Sequence, residues 1–202
     1  MKKFLLKNFL SMLAILGMFM TLGENFASAQ GKILIAYFSR VGEEYSIGNV
    51  SKGNTRIVAE IIAEKVNGDL FEIKPIQNYP ASYEECKTVA SREKAIKARP
   101  ELANRVENFD QYDVIFVGYP IWYGDAPMPV YTFLESYDFS GKTIIPFCTH
   151  GGSGLSSTDQ TITLTCPDSK LLQGFEIRGA IAHNDPAQTE SRVSSWLNRI
   201  GF

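Results

Sequence analysis

Three short stretches of this chain gather residue types suited to holding a flat, phosphorylated ligand. The first is Ser39-Arg40, then a glycine-containing segment, VGEEYSIGNVSKG, that ends in Gly53-Asn54-Thr55. A helix opening there would present free backbone N–H groups and the positive end of its dipole, which suits a phosphate. Ser39, Asn54 and Thr55 add hydroxyl or amide donors, and Lys52 or Arg40 could add charge. Taken alone, the same pattern describes an ordinary capped helix.

The second stretch, Gly118 to Pro127, follows an apolar run and contains Pro120, Ile121, Trp122, Tyr123 and Gly124. An exposed indole or phenol plane there offers a stacking surface for a flat ring. The third stretch is Thr149-His150-Gly151-Gly152-Ser153-Gly154. Its glycines let backbone N–H groups approach a ligand closely enough to bond the carbonyl edge of a ring. Each stretch has a plainer reading, Gly151 to Gly154 as a flexible turn and Trp122 as a cover over apolar surface. Brought to one edge of a sheet, the three converge on a single ligand. His150 could then donate a hydrogen bond or a proton to the ring or to a substrate oxygen, or serve as a structural histidine bonded to backbone. Cys148, at the end of an apolar run, reads as core, and Asp125 as a turn residue.

The elements that would position these loops are legible in the hydrophobic pattern. Lys32–Phe38 (KILIAYF), Val114–Gly118 (VIFVG) and Thr143–Cys148 (TIIPFC) are almost wholly apolar, as strands buried on both faces of a parallel sheet must be. Asp69–Ile73 and Phe175–Ile181 read as the second and fifth strands. Asn54–Val66 puts Ile57, Val58, Ile61, Ile62 and Val66 on one helical face, with Asn54 or Thr55 as cap. Further helices are expected within the charged stretch Ala81–Leu102, over Val130–Tyr137 and over Ala187–Ile200. Strands alternating with helices imply a parallel sheet with right-handed crossovers and helices on both faces. Ligands of such sheets bind beyond the carboxyl ends of the strands, where the three loops fall.

Composition narrows the function classes. Lys2, Lys3 and Lys7, the apolar run from Phe9 to Leu22, and Ala27-Ser28-Ala29 have the order of a secretory signal, so residues 1–29 are expected to be a cleaved leader and 30–202 one exported domain, periplasmic or secreted. The apolar run is shorter than the roughly 20 residues that span a bilayer, so no stable membrane anchor is expected after cleavage. The net charge of −2 becomes about −4 without the leader, and that argues against nucleic-acid binding. Cys86, Cys148 and Cys166 lack C-x-x-C spacing, so no zinc site is indicated, and one disulfide in an unspecified pair stays open.

With these residues in view, AYFSR, KGNT, FVGYPIWYGDAPMPV and FLESYDFSGKTIIPFCTHGGSG resemble the flavodoxin-like family, in particular its bacterial flavodoxin_4-type branch, across Gly31–Phe202. The resemblance implies an α/β three-layer sandwich with a five-stranded parallel sheet of order 2-1-3-4-5. It implies a flavin mononucleotide (FMN) whose phosphate is held by Ser39, Asn54, Thr55 and neighbouring backbone. The isoalloxazine would be bordered by Pro120 to Gly124 and by Thr149 to Gly154. The insertion Val41–Lys52 departs from the short phosphate loop of flavodoxins at large. It could fold over the cofactor, with Tyr45 beside the flavin, or form solvent-facing loop or partner surface.

Other users of such a sheet fit less well. A phosphoacceptor receiver needs an aspartate cluster where Phe38-Ser39-Arg40 stands, a low-molecular-weight tyrosine phosphatase needs a cysteine after the first strand, and a dinucleotide site needs G-x-G-x-x-G there. The expected function is that of an FMN-dependent oxidoreductase that takes hydride from NADH or NADPH and passes it to a quinone or similar acceptor. The alternatives are a non-enzymatic electron carrier serving an envelope redox protein, a homodimer among the assemblies open to it, and a binding module without cofactor.

Overall fold

The computed structural model describes residues 31–202, so the leader expected over residues 1–29, and Gln30, lie outside the described residues. In chain order the elements are β1 (Lys32–Tyr37), β2 (Gly42–Glu44), β3 (Gly48–Val50), α1 (Asn54–Val66), β4 (Asp69–Glu72), α2 (Tyr83–Ala95) and β5 (Tyr112–Pro120). They continue with α3 (Met128–Glu135), β6 (Thr143–His150), α4 (Thr158–Thr165), β7 (Lys170–Leu171), β8 (Phe175–Arg178), α5 (Gly179–Asn184) and α6 (Pro186–Ile200).

Alternation along β1 explains the layers. Ile33, Ile35 and Tyr37 face Val58 and Ile62 of α1 and Trp196 of α6, while Leu34, Ala36 and Phe38 face the cluster built by α3 and α4. A strand with apolar residues on both faces is stable only when both are covered, as they are here. All strands of the main sheet are parallel, in the order β4-β1-β5-β6, with β7 and β8 sharing the last place. Numbered as five strands, this is the expected order 2-1-3-4-5. Gly118 is required for that packing, because a Cβ there would sit 2.1 Å from the ring of Phe147 on the neighbouring strand.

The fifth position is broken for a physical reason. β7 pairs with Thr143 and Ile144, and β8 with Phe147 to His150, so the gap falls opposite Ile145 and Pro146. A proline cannot donate to a ladder. The expected strand Phe175–Ile181 ends early, at Arg178, where the chain turns into α5. The expected helical stretch Ala81–Leu102 yields one helix that stops at Ala95, followed by Lys97 at φ 50° and then Pro100.

The insertion is a hairpin, β2 paired antiparallel with β3. The Glu43 amide donates to the Ala81 carbonyl at 2.8 Å, and Arg40 Nη1 donates to the Pro80 and Ala81 carbonyls at 2.7 and 3.0 Å. Arg40 also pairs with Glu44 at 3.1 Å. The hairpin is therefore fastened to the segment entering α2.

Candidate functional site

The reversal of strand order lies between β1 and β5, and a cleft of about 520 Å³ opens beside it at the carboxyl edge. That volume is in the range of small-molecule and cofactor sites, about 300–1,000 Å³. Two buried ties fix its floor. Thr55 Oγ1 in the first turn of α1 and Thr149 Oγ1 near the end of β6 share a hydrogen bond of 2.9 Å, and the Ile121 amide donates to the Thr149 carbonyl at 2.8 Å.

The opening turn of α1 is left with donors to offer. Gly53 is the cap, with no side-chain bond of its own, and a Cβ there would collide with Ser39 Oγ and the Arg40 carbonyl at 2.2 Å. Neither Asn54 nor Thr55 caps the helix as expected, because both lie inside it. Instead Ser39 Oγ accepts from the Arg56 amide at 3.2 Å and the Gly53 carbonyl accepts from that of Ile57 at 3.2 Å. The amides of Asn54 and Thr55 have no partner among the described residues. Asn54 Oδ1 is buried and equally without a partner, which is costly unless a ligand group completes it.

Of the expected site residues, Asn54, Pro120, Ile121, Trp122, Thr149, His150, Gly151, Gly152 and Ser153 line the cleft. Ser39, Gly53 and Thr55 stand behind it, shaping the helix start. Lys52 is paired with Glu60 on the surface of α1, and Arg40 is turned to the hairpin and to Pro80 and Ala81. Tyr123 and Gly124, at φ 52° and 74°, form a tight turn closed by hydrogen bonds between Trp122 and Asp125. They and Gly154 lie outside the cleft lining. Asp125 is a turn residue, accepting from Tyr131 and paired with Lys94 at 3.7 Å.

Trp122 is braced edge-on by Phe38 and Tyr79, with ring centroids 5.5 and 4.9 Å away. His150 is buried; its Nε2 donates to Glu176, whose other oxygen meets Arg192 at 3.3 Å, while its Nδ1 is buried without a partner. Cys86, Cys148 and Cys166 are free and buried. Burial pushes the thiols of Cys86 and Cys166 up to about 11 and that of Cys148 higher, so none is poised to react.

Several lining residues had no expected role. The hairpin contributes Glu44, Ser46 and Ile47 as well as Tyr45, whose ring comes within 3.2 Å of a Cβ built at Gly151. Burial raises the Glu44 carboxyl above the usual range despite the Arg40 guanidinium beside it. Arg178 at the end of β8 also lines the cleft, its Nη1 3.4 Å from the Gly151 carbonyl. Arg178 carries no sequence signal, since the expected fifth strand runs through it to Ile181, and Tyr83, also in the lining, carries none either.

A family profile described as Flavodoxin matches residues 32–200. The chain belongs to the flavodoxin family. A provisionally named flavoprotein from Bacteroides eggerthii is 32% identical with a TM-score of 0.68, the match covering 85% of this chain and 99% of that one. Another from Bacteroides uniformis is also 32% identical, at TM-score 0.68, covering 83% and 98%. A flavoprotein from Lactobacillus acidophilus, solved in complex with FMN, is 21% identical at TM-score 0.59, covering 82% and 98%, and shares the fold. No protein of curated function matches the chain.

Proposed function

We propose that this flavodoxin-family protein binds FMN in the cleft and passes electrons from it to a quinone or similar acceptor. The observation that carries the reading is the pair of orphaned buried atoms, Asn54 Oδ1 and His150 Nδ1, on two residues lining one cleft at the strand-order reversal. Buried polar groups without partners call for a ligand that completes them. FMN fits both ends: its phosphate and ribitol suit the free amides and side chain at the start of α1, and its ring suits Trp122 and the loop His150–Ser153. Membership in the flavodoxin family and the FMN complex of the Lactobacillus relative support the same assignment.

Bound FMN supplies the two-electron chemistry, while the protein binds, orients and sets the electrostatics. The first turn of α1 holds the phosphate by its dipole and amides. Glu176, itself held by Arg192, fixes the His150 ring so that Nδ1 can hold or give a proton at the edge of the cleft. Tyr45 on the hairpin screens the cleft from water over Gly151.

The leader read in the sequence makes this an exported protein, whose reductant is then an envelope redox protein in place of scarce nicotinamides. A mature chain beginning at Gln30, found by mass spectrometry of the envelope fraction, is the expected result. An uncleaved cytoplasmic chain would overturn this part. For the reaction, FMN-loaded protein reduced anaerobically with dithionite should be reoxidised by a quinone faster than free reduced FMN is; equal rates would contradict it. A carrier role is favoured by two exposed rings, Tyr45 beside the cleft and Tyr123 on the adjoining turn. A protein that exchanges electrons with the bound flavin faster than any quinone would select that role.

A further inference from the structure

A second cavity of about 190 Å³ adjoins the main cleft, and Glu44, Tyr83, Ile121 and Trp122 line both. Its own lining comes from Arg40, Cys86, Lys87, Ala90 and Tyr123. The volume is below the range of about 300 Å³ and more typical of cofactor and drug sites, so it admits a small ring and excludes a nucleotide.

The chemistry of the walls is specific. Tyr83, Trp122 and Tyr123 offer aromatic surface, and Ala90 and Cys86 close the chamber with small apolar groups on α2. A flat apolar ring gains both area and ring-on-ring contact there. At the rim, Lys87 Nζ donates to both oxygens of Glu84 at 3.0 Å, which leaves one of its three N–H groups for an oxygen of the occupant.

We propose that this chamber is the acceptor site and takes a single-ring quinone, one oxygen toward Lys87 and its ring among Tyr83, Trp122 and Tyr123. The proposal rests on the FMN reading for the source of electrons. On reoxidation two electrons leave the bound, anionic reduced flavin, its one proton passing to solvent by way of His150 Nδ1. The quinone takes up those two electrons and two protons from solvent at the Lys87 rim, becoming the quinol. The shared wall of Tyr83, Ile121 and Trp122 keeps the rings from stacking, so electrons cross it without hydride transfer. The chamber, and not the flavin face, then sets acceptor size.

The test uses tetramethyl-1,4-benzoquinone, a two-ring naphthoquinone and the Ala90→Leu variant, which fills the chamber from α2 without touching the cleft. In the FMN-loaded protein, Ala90→Leu should raise the KM for the single-ring quinone about tenfold, equivalent to about 1.4 kcal/mol, with FMN affinity unchanged. An unchanged KM would overturn the proposal. Trp122 is one of two tryptophans, and the other, Trp196, is buried under the opposite face. Trp122 faces both cavities, so its quenching in the cofactor-free protein is assigned to the chamber by Lys87, which lines the chamber alone; the readout works even if no FMN binds, which separates the two readings. Saturable quenching by the single-ring quinone, weaker for the two-ring one and lost in Lys87→Met, is expected. Linear quenching identical for both quinones and for the variant would overturn it.

Discussion

Thr55 and Thr149 join hydroxyls across 94 positions of sequence at 2.9 Å, both buried, and so tie the expected phosphate end of the cleft to its ring end. Replacing Thr149 with Val leaves the Thr55 hydroxyl buried and unpaired, which costs about 1–3 kcal/mol. Thermal unfolding should show the loss, and FMN affinity should fall with it. A variant as stable as the parent would mean that the tie contributes nothing.

Asn54→Ala separates binding from folding. Its Oδ1 has no partner among the described residues, so removing it should leave the stability of the cofactor-free protein unchanged or slightly raised. Calorimetric titration should show FMN binding weakened by about tenfold or more, the worth of one or two kcal/mol of completed hydrogen bonding. Unchanged affinity together with a large loss of stability would assign Asn54 to the scaffold.

How much of this could be read from the sequence follows from what each residue is asked to do. β1 and β6 were legible because both faces of each are apolar, and the loop from Thr149 to Ser153 was legible because it follows such a strand. α4 was not, since it is threonine-rich with only Ile162 as a fully buried apolar residue, and Thr161, Thr163 and Thr165 bond back to carbonyls four residues earlier. Arg40 reads as phosphate charge beside Ser39, yet the Pro80 and Ala81 carbonyls, about forty residues away, take its donors. The place of Arg178 in the cleft depends on the fifth strand ending three residues early, just before Gly179, which comes so near Asn54 that a Cβ would lie 2.7 Å from Nδ2.

Of the cleft's lining, Arg178 carries the positive charge and Glu44 is paired with Arg40. Positive charge near a flavin favours its reduced, negatively charged form. Arg178→Gln should therefore lower the midpoint potential of bound FMN, by on the order of 30 mV for a tenfold change in a two-electron couple. Spectroelectrochemistry at low salt reads this directly, and an unchanged or higher potential would contradict it.

His150→Ala should slow quinone-dependent turnover by about a hundredfold, the scale of lost general acid–base catalysis on the flavin's proton, with FMN still bound. Glu176→Gln should reproduce part of that loss and change the pH profile, because it alters the partner of His150 Nε2 without removing the ring. A Glu176→Gln variant with parental rate and profile would reduce the pair to a structural contact.

Alkaline stability tests the buried thiols. Cys86 and Cys166 have their ordinary value of 9.0 pushed up to about 11 by burial, so the folded chain keeps protons that the unfolded chain loses. Stability must then fall as pH rises from about 9 to about 11, and the Cys148 thiol and the buried tyrosines, raised further by burial, carry the fall beyond that. Melting temperatures should drop by several degrees across this window, and less in a Cys86→Ala variant when each is compared with its own value at pH 8.

The most direct test of the whole account is titration of the mature domain, residues 30–202, with FMN, followed by the visible spectrum and by quenching of flavin fluorescence. The account predicts saturable uptake of one FMN per chain, weakened by Asn54→Ala and opposed by high inorganic phosphate. A folded domain that leaves the spectrum and fluorescence of added FMN unchanged would contradict it.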